Sequence, residues 1–169
     1  MQATVHPAHE AYISVGSNLG DKLACCRRAI TQVAALPGTR LAAQSPFYRT
    51  APVDFLEQDW FVNAAVKVVT DLKPRELLAA LQEIQRQAGR TTDKIRFGPR
   101  LLDLDILLYD DIVLDLPELI LPHPRMHKRR FVLKPLCDID PKVLHPVLRQ
   151  PMDRLLAELD VTDQDVYPL

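Results

Sequence analysis

The chain has 169 residues, 47% of them hydrophobic, and a formal net charge of -1. That is enough apolar material for one compact core, with no excess of base to coat nucleic acid or hold a membrane surface. Three cysteines, with Cys25 and Cys26 adjacent, give neither a disulfide framework nor a CxxC zinc spacing and fit free thiols in a reducing compartment.

The first ten residues lack a basic and then apolar leader, and no apolar run reaches membrane-spanning length. A soluble, cytoplasmic monomer of one domain (1–169) is expected, with a loose leader over 1–10 and a tail over 161–169. Ala11 to Val15 predicts a short strand broken at GSNLGD, where Gly16, Asn18 and Gly20 supply turn conformations. Leu23, Cys26, Ile30 and Val33 recur at helical spacing until LPG stops them. Leu41 to Arg49 reads as one strand, with Pro46 and Pro52 favouring an edge or loop. In FVNAAVKVV, Val62, Ala64, Val66 and Val68 share one face and Phe61, Asn63, Ala65 and Lys67 the other.

Pro74 opens a helix striped by Leu77, Leu81, Ile84 and Ala88, with Gly89 at its C-terminal cap. Leu101 to Tyr109 is the next strand, DD at Asp110 and Asp111 a turn, and Ile112 to Leu114 is expected to pair back as a hairpin. A short helical stretch through RMHKRRFVLKPL and a terminal helix carrying Leu155, Leu156 and Leu159 follow. Asp153, Glu158, Asp160, Asp163 and Asp165 face Arg154 alone and read as a solvated acidic end. The order strand, helix, strand, strand, helix, strand predicts the α+β class: a ferredoxin-like split β-α-β core, a mainly antiparallel sheet with helices packed on it.

Within RFGPRLLDLDILLYDD, Asp103 and Asp105 lie two apart on a strand and so share a face, while Leu102, Leu104, Ile106 and Leu108 point to the core. A strand with one wet face explains a lone DxD. Leu101 and Leu107, however, share the Asp face and make it half apolar, where two carboxylates would gain protons unless a cation stood between them. Magnesium suits that setting, because it takes one or two carboxylates and fills its shell with water and substrate phosphate. Arg90, Lys94, Arg96 and Arg100 precede the pair, and five bases without an acid lie between His123 and Lys134. Two basic segments around a DxD favour a polyphosphate over a merely solvated loop. GSNLGDK lacks the Walker pattern and reads as a strand-to-helix turn that at most lines a pocket. His123 and His127 lack the glutamate and third ligand of a zinc site.

The run RFGPRLLDLDIL resembles the R-x-G-P-R-x-x-D-[LIV]-D signature of the 6-hydroxymethyl-7,8-dihydropterin pyrophosphokinases of folate synthesis. AYISVGSNLGDK, SPFYRTAPV, FVNAAVKV, AGR and LPHPRMHKRRFVLKPLCDIDP resemble further blocks of that family in its order, covering roughly 11–146. The resemblance implies transfer of the β,γ-pyrophosphoryl group of ATP to the pterin hydroxymethyl oxygen, with release of AMP. It implies two Mg ions, held by Asp103 and Asp105, and phosphate clamps at Arg90 and Arg100. It places Gln82, Arg96, Ile106, His123 and Arg129 on ATP, and Phe61 and Phe131 stacked on the pterin with Asn63 reading its edge. Thr50 and Val53 then shape the pterin pocket, and ATP and the reduced pterin are the expected partners, with no nucleic acid and no membrane. The chain departs from the family at Gln85, where glutamate is usual, at Ala51 for proline and at Phe97 for tryptophan. The glycine-bracketed segment Gly89 to Gly98 is expected to close over the site. Two rival classes stay open. A metal-dependent nuclease needs further carboxylates, and a non-catalytic nucleotide-binding module needs no Asp pair.

Overall fold

The computed structural model describes residues 8–89 and 100–169. Its strands are β1 (His9–Ser17), β2 (Thr39–Gln44), β3 (Tyr48–Thr50), β4 (Phe61–Thr70), β5 (Asp103–Tyr109), β6 (Leu114–Asp115), β7 (Ile120–Leu121) and β8 (Val166–Pro168). Its helices are α1 (Lys22–Ala34), α2 (Pro74–Gln87), α3 (Arg130–Ile139) and α4 (Met152–Glu158), with a 3-10 turn at Met126–Lys128.

The main sheet runs β5-β1-β4-β3-β8, and β2 flanks the far half of β4. Every pairing in it is antiparallel. With β1 inserted between β4 and β5, this is the expected split β-α-β core of an α+β fold.

Helix α1 starts where Asp21 Oδ1 accepts from the Ala24 amide at 3.1 Å. Helix α2 starts at Pro74, where Glu76 Oε2 accepts from the Lys73 amide at 2.7 Å and satisfies a donor the first turn leaves open. It ends before Gly89, whose φ of 94° a side chain would resist. Both helices bury their predicted stripes on one face of the sheet: Cys26, Ile30, Val33, Leu77, Leu81 and Ile84 pack on Ile13, Val15, Val66, Val68 and Ile106. On the other face Val132, Leu133 and Leu136 of α3 and Met152 and Leu155 of α4 pack on Tyr12, Leu107 and Leu108. Full burial of each large aliphatic side chain contributes about 1.5–3 kcal/mol.

The structure corrects the sequence reading at several points. The expected strand from Leu41 to Arg49 is two strands. Pro46 has no N–H for the ladder, and Ser45 keeps the chain beside β4 through its amide, donating to Ala65 O at 2.9 Å, and its hydroxyl, accepting from Ala65 N at 2.9 Å. The hairpin expected from Ile112 to Leu114 does not return to β5: β6 pairs with β7, and the outer edge of β5 is met instead by His123 N donating to Leu107 O at 2.9 Å.

The bounds of the loose leader and tail move as well, residues 1–7 lying outside the described residues. His9 and Glu10 already pair with Thr70 and Val69. At the other end Val166 is buried, β8 pairs with β3 and Leu169 N donates to Phe47 O, although the acidic residues around it are solvated.

Leu108 does not share a face with Ile106. Ile13 stands opposite Ile106 and Tyr12 opposite Leu108, so Leu107 is an extra residue, a β-bulge that leaves Leu107 and Leu108 both on the α3 side. Leu101 precedes the strand and packs beside Gly20 and Gly89 rather than on the Asp face.

Candidate active site

On its α3 side the sheet is covered over one half and open over the other, and the open half is a cleft. Its floor is Ser14 and Gly16 of β1, Thr50 of β3, Phe61 and Asn63 of β4, and Asp103 and Asp105 of β5; the first turn of α3 supplies Phe131 and Val132 as a wall. Gly16 is the hinge of this arrangement, since it pairs with Asn63 on one side and Asp103 on the other.

Asp103 and Asp105 both line the cleft on one face, as their spacing requires. Arg100 Nη1 lies 3.4 Å from Asp103 Oδ1 and also faces the cleft. Its backbone is fixed by Asn18, whose Oδ1 accepts from Arg100 N at 2.7 Å and whose amide donates to Arg100 O at 3.1 Å. Asn18 also donates through Nδ2 to Gln58 Oε1 at 2.9 Å, so one buried amide joins three segments of the cleft rim.

Asn63 is 4% exposed and donates through Nδ2 to Thr50 Oγ1 at 2.7 Å. A Cβ on Gly16 would stand 2.5 Å from Asn63 Oδ1, so glycine there is what gives the amide its place. Phe61 and Phe131 line the cleft with Thr50 and Val53, and together these residues form a slot with aromatic faces and one fixed amide.

At the remaining wall, Arg129 Nη2 lies 3.0 Å from Asp54 Oδ2, and its guanidinium carbon is 5.5 Å from the Phe131 ring centroid. Arg125 Nη1 reaches the same carboxylate at 3.9 Å. His123 Nδ1 accepts from the Arg125 amide at 3.2 Å, which places the proton of the neutral ring on Nε2. Burial, with Arg129 and Arg125 nearby, pushes the His123 pKa down to about 4 against a smaller opposing pull from Asp103, so the ring is neutral near pH 7.

The cleft thus brings together Thr50, Val53, Phe61, Asn63, Arg100, Asp103, Asp105, His123, Arg129 and Phe131 of the expected site. It does not bring in Gln82, which is exposed on α2, or the side chain of Ile106, which is buried beneath α1 and α2. Arg90, Arg96 and the segment expected to close over the site lie outside the described residues. Gly16, Asn18, Asp54, Gln58 and Arg125 are additional. Asn18 and Gly16 carried a signal in GSNLGD, whereas the meeting of Asp54 with Arg129 had none, being a contact across 75 residues.

No group of three or more His, Cys, Asp or Glu side chains suited to a metal occurs among the described residues. Two carboxylates on one face of an open cleft match a cation whose shell is completed by water and a ligand's oxygens rather than an all-protein cage.

An acid pair, arginines, and a slot of aromatic faces with one amide, set on an antiparallel α+β sheet, suit an enzyme that acts on a phosphorylated substrate beside a flat polar ring. The model of the 7,8-dihydro-6-hydroxymethylpterin-pyrophosphokinase (HPPK) family matches residues 12–141. The chain belongs to that family. It is 45% identical over 148 residues to the 2-amino-4-hydroxy-6-hydroxymethyldihydropteridine pyrophosphokinase of Pseudomonas aeruginosa, a match covering 88% of each. It is 38% identical over 149 residues to the folic acid synthesis protein fol1 of Schizosaccharomyces pombe, with 88% of this chain spanning 20% of that protein. The fold also matches a crystal structure of Plasmodium falciparum HPPK-DHPS, wild type with pteroate, at a TM-score of 0.73 and 14% identity, over 92% of this chain and 43% of that one.

Proposed function

We propose that the cleft holds ATP and 6-hydroxymethyl-7,8-dihydropterin side by side for pyrophosphoryl transfer, giving AMP and the pterin diphosphate for folate synthesis. The observation that carries this reading is the register at Gly16, which seats Asn63 and Asp103 on either side of one residue with no Cβ between them. Asn63 reads the pterin edge, Phe61 and Phe131 stack on its ring, and Thr50 and Val53 shape the slot. Asp103 and Asp105 would hold two magnesium ions, which would supply neutralisation of charge on the polyphosphate. Arg100 and Arg129 grip the phosphates, Asn18 keeps Arg100 in place, and neutral His123 donates from Nε2 without adding a charge. Arg90, Arg96, Gln82 and Ile106 are assigned to the nucleotide on the family resemblance alone.

Catalysis here is positioning and charge compensation, and no described side chain is assigned as a general base. The test is to mix the protein with ATP, magnesium and the reduced pterin and to follow the nucleotide product. AMP with a diphosphorylated pterin is expected. ADP, or an unchanged pterin, would overturn the proposal.

A further inference from the structure

Asp54 stands out among the cleft residues because it presents a carboxylate to two of the arginines that line the cleft, Arg129 and Arg125. Its Oδ2 is 3.0 Å from Arg129 and 3.9 Å from Arg125. The Arg129 side chain is 13% exposed against 37% for Asp54, so the guanidinium is held within the cleft wall while the acid reaches it from the rim. Asp54 also belongs to the segment that carries Ala51, Pro52 and Val53 into the cleft, and the Arg129 guanidinium lies over the Phe131 ring. One ion pair therefore links the wall of the ring slot to the phosphate side.

We propose that Asp54 is an internal stand-in for phosphate: its carboxylate occupies Arg129 in the empty protein and must be displaced when a nucleotide's phosphates arrive. This rests on the reading of Arg129 as a phosphate ligand. A guanidinium forms its strongest contacts in charge-assisted pairs, and both a carboxylate and a phosphate oxygen suit the same fork. The polyphosphate carries more charge and wins, but its net affinity is reduced by the pair it breaks. Asp54 thus lowers nucleotide affinity while keeping Arg129 ordered.

The test is a double-mutant cycle with the full chain, magnesium and a non-hydrolysable ATP analogue, read by calorimetry without pterin. Asp54→Asn should tighten the analogue by about threefold to fivefold, the scale a partly exposed ion pair supports. Arg129→Ala should weaken it, and adding Asp54→Asn to Arg129→Ala should give no further gain. Thermal melts of each variant exclude loss of fold. If Asp54→Asn binds no tighter than the parent while Arg129→Ala weakens, the inference about Asp54 fails and the assignment of Arg129 stands. A gain that persists in the Arg129→Ala background also overturns it, since Asp54 would then act by general repulsion. If Arg129→Ala binds as the parent does, the assignment of Arg129 fails first, and the inference falls with it.

Discussion

Gln85 Oε1 accepts a hydrogen bond at 3.2 Å from the backbone amide of Leu104, the residue between Asp103 and Asp105. Gln85 is 2% exposed and donates to Leu81 O at 3.3 Å, so α2 grips the acid-bearing strand from its outer edge through one oriented amide. Gln85→Leu keeps similar bulk and leaves the Leu104 N–H buried without this acceptor. It should lower unfolding free energy by about 1–3 kcal/mol and raise the magnesium concentration needed for half-maximal AMP formation. Urea unfolding and a magnesium titration read the two effects, and an unchanged titration would confine Gln85 to a packing role.

Asp103→Asn and Asp105→Asn keep the shape of the cleft and remove its negative charge. Each should reduce AMP formation by roughly 100-fold or more, the scale set by losing a preorganised electrostatic group, with little change in melting temperature. Near-parental turnover in both at ordinary magnesium would remove the metal assignment.

Gly16→Ala puts a methyl group 2.5 Å from the position Asn63 Oδ1 occupies, and no other side chain within 4 Å comes as near. The amide must swing away from Thr50, so pterin binding should fall about as far as it does in Asn63→Ala, roughly 1–3 kcal/mol. Binding of the ATP analogue should change much less. Calorimetry with each ligand separately checks this, and equal losses for both would indicate a wider disturbance of β1.

His145 lies away from the cleft, 4% exposed, its Nδ1 accepting from the Val147 amide at 3.3 Å and the Leu148 amide at 3.1 Å. It can accept there only when unprotonated, and burial, with His127 beside it, lowers its pKa. Between that lowered value and the unfolded value of about 6.5, the unfolded chain binds more protons, so this contribution to stability is complete above about pH 6.5 and is lost as the pH falls. His123 and His127 are shifted in the same direction. Comparison with His145→Asn isolates the His145 share: urea midpoints should fall further in the parent than in the variant between about pH 7.5 and about pH 5.5. Parallel falls would assign the loss elsewhere.

The sequence disclosed the face shared by Asp103 and Asp105, and that shared by Phe61 and Asn63, because both pairs sit in regular strand where side chains alternate strictly. It disclosed the α1 and α2 stripes for the corresponding helical reason. Leu108 was misplaced because an alternation rule has no means of sensing a bulge, which depends on the partner strand. Strand β8 was hidden by its acidic surroundings, since one buried valine and an open β3 edge settle its pairing. Asn18 looked like a turn former, and its hold on Arg100 depends on where the chain returns 82 residues later.

The extra residue in β5 also determines where this chain tolerates a change of length. Leu107 is surplus to the register, so a strand shortened there would keep Asp103 and Asp105 toward the cleft, Ile106 beneath the helices and Tyr109 with its hydroxyl on Leu72 O. The shortening would forgo the link from His123 N to Leu107 O. A deletion at Leu104 has no such spare residue upstream, and it would turn the carboxylate of Asp105 into the layer now filled by Leu104 and Ile106. Natural variation in length along β5 should therefore collect at the bulge and be absent between the two acids.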